Sequence, residues 1–317
     1  VWITSSSEKI LTPTAIALGN FDGIHRGHQQ VLQPILDESG LMSQFPGVEH
    51  IYSTVVSFTP HPREFFSGER LKLLTPLEEK EQQLDILGIE QLVLLPFDRA
   101  LAALNPQQFV EEILVKQLQA KRISVGEDFH FGHRRAGQVS DLQAIASKFD
   151  IEVCIVSLKK NHCEEQVRIS SSLIRQALES GDIERATQML GRAYSITGIV
   201  VTGQQLGRTI GFPTANLKIP DNKFLPRFGV YAASVAIDRS SLIPAVMNIG
   251  CRPTVDGNNP TIEIHLLDWA GDLYGQNLTV YLEKFIRTEQ KFSSLDALKE
   301  QIAKDCETAR QGRDNRQ

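Results

Sequence analysis

Gly19-Asn20-Phe21-Asp22-Gly23-Ile24-His25-Arg26-Gly27-His28 is the stretch on which the reading of the fold turns. Residues 15–18 before it are a short apolar run of strand type, and residues 29–36 after it carry a helical pattern. A Gly-containing bend between a strand and a helix is what an open parallel sheet places beyond the carboxyl end of a strand, where its ligands bind. The helix N-terminus there offers unpaired N–H groups and a positive dipole end to a phosphate. His25 and His28 are three residues apart, so the first helical turn carries both on one side. Two histidines that merely cap or decorate the helix are the plainer alternative.

Working outward, residues 51–58, 92–95, 122–125 and 152–156 are further short apolar or β-branched runs separated by helical patterns. This alternation predicts an α/β unit, a doubly wound parallel sheet with crossover helices. Thr75-Pro76-Leu77-Glu78 predicts a capping box with Pro at the first helical position, and Asn105-Pro106 starts a helix in the same way. A polar stretch, residues 159–166, is followed by Ser170-Ser171-Ser172 and by two short helical patterns parted by Gly181-Asp182; the linking region is read there. From Tyr194 the texture changes. Residues 199–201, 231–236, 245–249, 261–267 and 278–285 are strand-like runs punctuated by Gly and Pro, which predicts a small antiparallel β-barrel. Residues 295–310 add a terminal amphipathic helix capped by Ser294. The expected domains are residues 1–187 and 188–317.

Composition bounds the class. The chain has 317 residues, 41% hydrophobic and 22% charged, more than one domain of roughly 150 residues and ordinary for globular proteins. Its 33 Lys and Arg face 38 Asp and Glu, a net charge of −5, which removes the broad attraction that non-specific nucleic-acid binding needs. Nucleic acid is therefore not an expected partner. The strongest apolar run, Leu92-Val93-Leu94-Leu95, stops at Pro96, far short of the ~18 residues of a membrane span, so no membrane association is expected. Residues 1–13 lack the basic start and apolar block of a secretory signal, and a cytoplasmic location is the expectation. Cys154, Cys163, Cys251 and Cys306 have no metal or redox spacing and read as buried small hydrophobes. An oligomer is compatible with the sequence, and nothing in it fixes the number of copies.

Residues 203–216 read G-Q-Q-L-G-R-T-I-G-F-P-T-A-N. Gly207 and Gly211 allow close approach of the backbone to phosphate, but the spacing is not that of a P-loop. The Thr214 hydroxyl and the Asn216 amide oxygen are hard donors of the kind Mg²⁺ takes. A purely structural turn is the alternative for this loop.

G-N-F-D-G-I-H-R-G-H resembles the H-x-G-H nucleotidyltransferases, in particular the flavin-adenylylating half of the bacterial bifunctional riboflavin kinase/FAD synthetases. The segments Phe58-Thr59-Pro60-His61-Pro62, Val125-Gly126-Glu127-Asp128-Phe129-His130-Phe131-Gly132 and Arg168-Ile169-Ser170-Ser171-Ser172-Leu173-Ile174-Arg175 are similar to that family's F-x-P-H-P, V-G-x-[ND]-F-x-F-G and R-I-S-S-T-x-I-R. In the second half, Gly207 to Asn216 resembles the G-x-x-x-G-F-P-T-A-N phosphate site of riboflavin kinases. Phe228-Gly229-Val230-Tyr231, Asn248-Ile249-Gly250-Cys251-Arg252-Pro253-Thr254 and the E-x-H strand from Thr261 to Leu267 follow in that family's order.

The resemblance implies two activities, both with Mg²⁺ and ATP as co-substrate. The barrel would phosphorylate riboflavin to FMN, and the N-terminal module would adenylylate FMN to FAD with release of pyrophosphate. Riboflavin, FMN, FAD and ATP are the implied partners. It implies that His25 and His28 contact the ATP phosphates, within a pocket that Asn20, Phe21, Asp22 and Gly27 help to form. It also implies that Ser171, Ser172 and Arg175 meet the distal phosphates, which leaves simple N-capping by the serines as the alternative. Phe58, Pro60 and His61 would line the flavin, against an exposed turn histidine; Asp128 would lie beside flavin or ATP. Gly207, Gly211, Phe212 and Pro213 would hold phosphate and flavin in the barrel, Thr214 and Asn216 the metal, and Glu263 would be the general base. His265, on the same strand face, reads as structural. Asp305 and Arg310, with a flap over 286–292, would close over flavin, or else form a solvated helix face. His130, His133, Arg134 and Arg135 either add positive charge near phosphate or solvate a loop. Leu173 stands where relatives frequently carry a basic residue, which leaves open a chain with one active module; a non-catalytic flavin binder is the third reading, and Glu263 and the phosphate motifs argue against it.

Overall fold

The computed structural model describes residues 1–45, 47–157, 168–203, 207, 210–237, 241–254 and 257–314. The expected linker at 159–166, Cys163, and Gln204, Gln205, Leu206, Arg208 and Thr209 of the Gly-containing loop lie outside them. The chain divides into two compact units, Val1–Ser170 and Ser171–Gln317.

The first unit is a six-stranded, wholly parallel sheet in the order β1-β4-β3-β2-β5-β6. Its elements are β1 (Trp2–Thr4), β2 (Thr14–Leu18), α1 (Arg26–Leu36), α2 (Glu38–Gln44), β3 (Tyr52–Thr59), α3 (Pro62–Ser67), α4 (Leu77–Ile86), β4 (Gln91–Pro96), α5 (Arg99–Ala103), α6 (Pro106–Gln108), a π-helical stretch Phe109–Gln117, β5 (Ala120–Gly126), α7 (Val139–Ala146) and β6 (Glu152–Val156). The five expected strands are present within a residue or two, and β1 is an addition at the sheet edge. Strand alternation sorts β2 between two cores. Ala15 and Ala17 pack with Val31, Leu32 and Ile35 of α1 and Leu84 of α4, whereas Ile16 and Leu18 pack with Phe109, Ile113, Leu114 and Leu142. Helices thus cover both faces. The order reverses between β2 and β5, and the loop 19–25 leaves the carboxyl end of β2 at that switch point, the place where such sheets bind ligands.

Two predicted helix starts fare differently. Asn105 caps α6 as expected, its Oδ1 accepting from the Gln108 N–H at 2.9 Å while the Asn105 N–H donates to Gln108 Oε1 at 3.0 Å. Thr75 does not cap α4: the cap is Pro76, with no side-chain hydrogen bond. The Thr75 hydroxyl instead accepts from Gly23 N–H at 2.9 Å. The buried polar loop next door offers a stronger demand for that oxygen than the helix end does.

The second unit opens with α8 (Ser171–Ser180) and α9 (Ile183–Leu190) and continues as β7 (Ser195–Val201), β8 (Ala215–Lys218), β9 (Gly229–Ile237), β10 (Ile243–Thr254), β11 (Gly257–Leu266), β12 (Asn277–Arg287) and α10 (Leu295–Asp314). The strands close into an antiparallel barrel in the order β10-β11-β8-β7-β12-β9. β8 was not expected from the sequence; the end of the Gly-containing loop is itself a strand. Ser294 caps α10 through Ala297 N–H at 3.1 Å, as expected. The end of α8 is tied to the barrel, since Arg227 N–H donates to Leu178 O at 2.9 Å. Of the three cysteines described, Cys306 is buried, and burial pushes its thiol up to about 11, but Cys154 and Cys251 are only half-buried, contrary to expectation.

Candidate active sites

In the first unit His25 is the N-cap of α1, its Nδ1 accepting from His28 N–H at 3.2 Å. The imidazole rings of His25 and His28 stack with centroids 3.6 Å apart, and Phe21 meets His28 edge-on at 5.2 Å. Gly27 has a spatial reason: a Cβ there would stand 3.2 Å from the His25 ring, tighter than an ordinary contact. The capping alternative and the paired arrangement are therefore one geometry, in which His25 is 4% exposed and His28 half-buried. Cap use engages Nδ1 of His25.

His61 is a half-buried N-cap of α3. Its Nδ1 accepts from Arg63 N–H at 3.0 Å and its own N–H donates to Glu64 Oε2 at 3.1 Å. Burial lowers its pKa, with Glu64 and Asp22 opposing. Pro60 is exposed. Phe58 belongs to an aromatic cluster the sequence did not single out: Phe58, Phe65 and Phe66 meet Phe97 edge-on at 5.7, 5.3 and 5.9 Å, and Phe66 is 73% exposed. Asp128 pairs with Arg168 at 2.6 Å, both half-exposed. His133 Nδ1 lies 3.0 Å from Ala102 O and so serves the loop. Asp22 is buried, and its Oδ1 accepts from Thr75 N–H at 3.2 Å. Lys80, which the sequence did not single out, is buried too, and its ammonium donates to Asn20 O at 2.7 Å. Burial lowers its pKa, with Asp22 opposing.

Ser171, Ser172 and Arg175 belong to the second unit. The serines form the start of α8, and the Arg175 guanidinium lies 5.6 Å from the Phe224 ring centroid.

The barrel holds a cavity of about 430 Å³, lined among others by Gly207, Phe212, Thr214, Asn216, Asn248 and Glu263. Register explains why residues far apart in sequence meet. Asn248 pairs with Glu263 across β10 and β11, and Glu263 pairs with Asn216 across β11 and β8. Directly paired residues point to one face with Cβ atoms ~5 Å apart. The expected base thus stands between two amides. A Cβ at Gly203 would fall 2.1 Å from Asn216 Nδ2, so the loop presses on this amide. His265 is half-buried on the same face and also lines the cavity, its Nδ1 2.8 Å from Pro213 O and its ring edge-on to Phe212 at 5.5 Å. Gly211 is exposed at φ 90°.

Asp305 and Arg310, expected to act alike, differ. Asp305 is 2% exposed and takes a bidentate pair from Arg287 at 2.8–3.1 Å; Arg287, Phe292 and Asp305 all line the cavity. Arg310 does not line it, and its exposed guanidinium binds Asp268 at 3.0 Å.

Comparison with known proteins agrees with this division. Residues 7–173 match the FAD synthetase family model and residues 190–312 the riboflavin kinase family model. The bifunctional riboflavin kinase/FMN adenylyltransferase of Escherichia coli K12 is 43% identical over 297 residues, 93% of this chain and 91% of that one. The Haemophilus influenzae protein of the same name is 37% identical over 96% of each chain. A crystal structure described as a macrolide-efflux protein from Streptococcus pneumoniae superposes with a TM-score of 0.84 at 32% identity, covering 97% of this chain and 98% of that one. Its description speaks of transport, whereas among the residues described here no helix is long and apolar enough to cross a membrane. The chain belongs to the bifunctional riboflavin kinase/FMN adenylyltransferase family, its FAD synthetase part preceding its riboflavin kinase part.

Proposed function

We propose that the two units carry consecutive steps of flavin cofactor synthesis: the barrel transfers the γ-phosphate of ATP to riboflavin, and the H-x-G-H loop directs adenylylation of the resulting FMN to FAD. The observation that carries this is the pair of separate sites, a helix-capped loop at the switch point of a parallel sheet and a polar row inside a barrel cavity.

In the barrel, Glu263 takes the proton of the terminal ribityl hydroxyl as that oxygen attacks phosphorus. Asn216 and Thr214 would hold the Mg²⁺ that accompanies ATP; their oxygens are hard donors that suit it, and both side chains line the barrel cavity. The ion, when bound, neutralises charge on the phosphates. In the first unit, the FMN phosphate attacks the α-phosphate of ATP and pyrophosphate leaves. His28, His25 and the N–H groups opening α1 stabilise the charge that builds there. Ser171, Ser172 and Arg175 contact the departing phosphates, and Asp128 orients flavin or nucleotide from the end of β5. Phe58, Pro60 and His61, with the exposed Phe66, offer apolar and aromatic surface to the isoalloxazine. The functional boundary lies at 187/188, and a cytoplasmic location goes with the need for ATP in both steps.

Incubation of the pure chain with riboflavin and Mg-ATP, followed by chromatography, tests this. FMN, FAD, ADP and pyrophosphate are the expected products. FMN without FAD would leave one active module, and no phosphorylated flavin would refute the reading.

A further inference from the structure

The loop from β2 to α1 is strained. Phe21, Gly23 and Ile24 have φ of 48°, 89° and 40°, and the left-handed region is costly for Phe and for β-branched Ile. Such a shape persists only where its surroundings impose it. Two residues just before and within α4 do so: Thr75 bridges the Asp22 carboxylate and the Gly23 N–H, and the Lys80 ammonium grips the Asn20 carbonyl at 2.7 Å. Ser57 adds a long contact to the same carbonyl at 3.5 Å. Lys80 is 8% exposed.

Stability alone gives no reason for a lysine there. An ammonium taken from water is expensive, and an apolar residue of similar volume in place of a buried ion is often neutral or stabilising. The downward pull of burial on its pKa says the same: the folded protein disfavours the charge it carries. The residue it grips has a second peculiarity, for Asn20 Oδ1 is buried and has no hydrogen-bond partner among the described residues. Buried polar atoms are satisfied as a rule, and an exception calls for a partner from elsewhere.

We propose that Lys80 is a positioning residue for adenylyl transfer: by fixing the Asn20 main chain it aims the Asn20 side-chain oxygen at a hydroxyl or amino donor of the bound nucleotide or flavin. Lys80 touches no substrate and acts through Asn20. The assignment rests on the placement of adenylylation at this loop.

A double-mutant cycle tests it, with FAD formation from supplied FMN as the readout. Asn20→Ala and Lys80→Met should each lower kcat/KM about 30-fold, within the range that a misplaced contact costs. The double variant should fall no more than about threefold below the worse single variant, because both remove one device. Lys80→Met should unfold at the parent temperature or higher and keep riboflavin phosphorylation within about twofold. Activity of either single variant within threefold of the parent would overturn the proposal, and so would losses that multiply in the double variant, the pattern of separate structural damage. Should Lys80→Met unfold early, Lys80→Gln, which keeps an N–H donor for the carbonyl without the charge, should fold and bring FAD formation back to within about threefold of the parent, and a folded Lys80→Gln variant still about 30-fold down would overturn the proposal. His28→Ala separates the two levels: if it leaves FAD formation intact, the placement of the reaction fails; if it abolishes FAD formation while Lys80→Met does not, only the role of Lys80 fails.

Discussion

The two proposed sites would solve one problem, holding a triphosphate, by opposite means. In the sheet unit the phosphate loop is contiguous in sequence, and its shape is imposed from outside by Thr75 and Lys80, more than fifty residues away. In the barrel the residues are scattered from Asn216 to Glu263, and hydrogen-bond register alone brings them into one row. A contiguous motif is easy to see, but its supports are not; a scattered row is hard to see, yet the barrel that builds it needs no special support. Substitutions in the two sites should therefore fail differently.

The largest effects fall on the chemistry. Glu263→Gln keeps the shape of the row but removes the base, and riboflavin phosphorylation should drop about a thousandfold while FAD formation from supplied FMN stays within about twofold. His28→Ala should do the reverse, lowering FAD formation by about 10²- to 10³-fold with phosphorylation intact. Product chromatography under Mg-ATP measures both, and a variant that loses both activities while folded would break the separation of sites.

Next comes the stability of the barrel rim. Asp305→Ala strands the Arg287 guanidinium, whose side chain is 15% exposed, and should cost about 3–5 kcal/mol in the unfolding of the second unit. Gly27→Ala should cost less, about 1–2 kcal/mol, by forcing the His25 ring from its place over the helix start, and FAD formation should fall with it. Thermal unfolding followed by circular dichroism reads both changes. The smallest effect is expected from Arg310→Ala, whose exposed pair with Asp268 is worth less than about 1 kcal/mol. A larger loss of flavin affinity there than in Asp305→Ala would restore the terminal arginine to the cavity.

What was legible in the sequence follows the same contrast. The loop 19–28 announced itself because strand, turn and helix succeed one another along the chain and each has a local signature. Asn216 and Glu263 were found through motif resemblance, but their adjacency required the register, and β8 went unseen because Gly211 and Pro213 made its approach look like loop. β1 was missed for another reason: three residues at a sheet edge, with Trp2 48% exposed, carry almost no periodicity. Thr75 satisfied a capping pattern in the sequence, yet the buried Gly23 N–H claimed its oxygen. Lys80 had no signal at all. A lysine on an amphipathic helix reads as solvated, and only the fold shows that its end lies under the loop. Asp305 and Arg310 looked alike along α10 and separated only when the Arg287 side chain was seen to reach one of them.

The claim beneath all this is that residues 1–187 carry adenylylation and residues 188–317 phosphorylation, neither needing a residue of the other set. A mixture of the His28→Ala and Glu263→Gln variants, given riboflavin and Mg-ATP, tests it in one vessel. Neither variant alone should carry riboflavin to FAD, and the mixture should, with FMN passing through solution from one chain to the other. No FAD from the mixture, with both variants folded and each retaining its own half-reaction, would contradict the account.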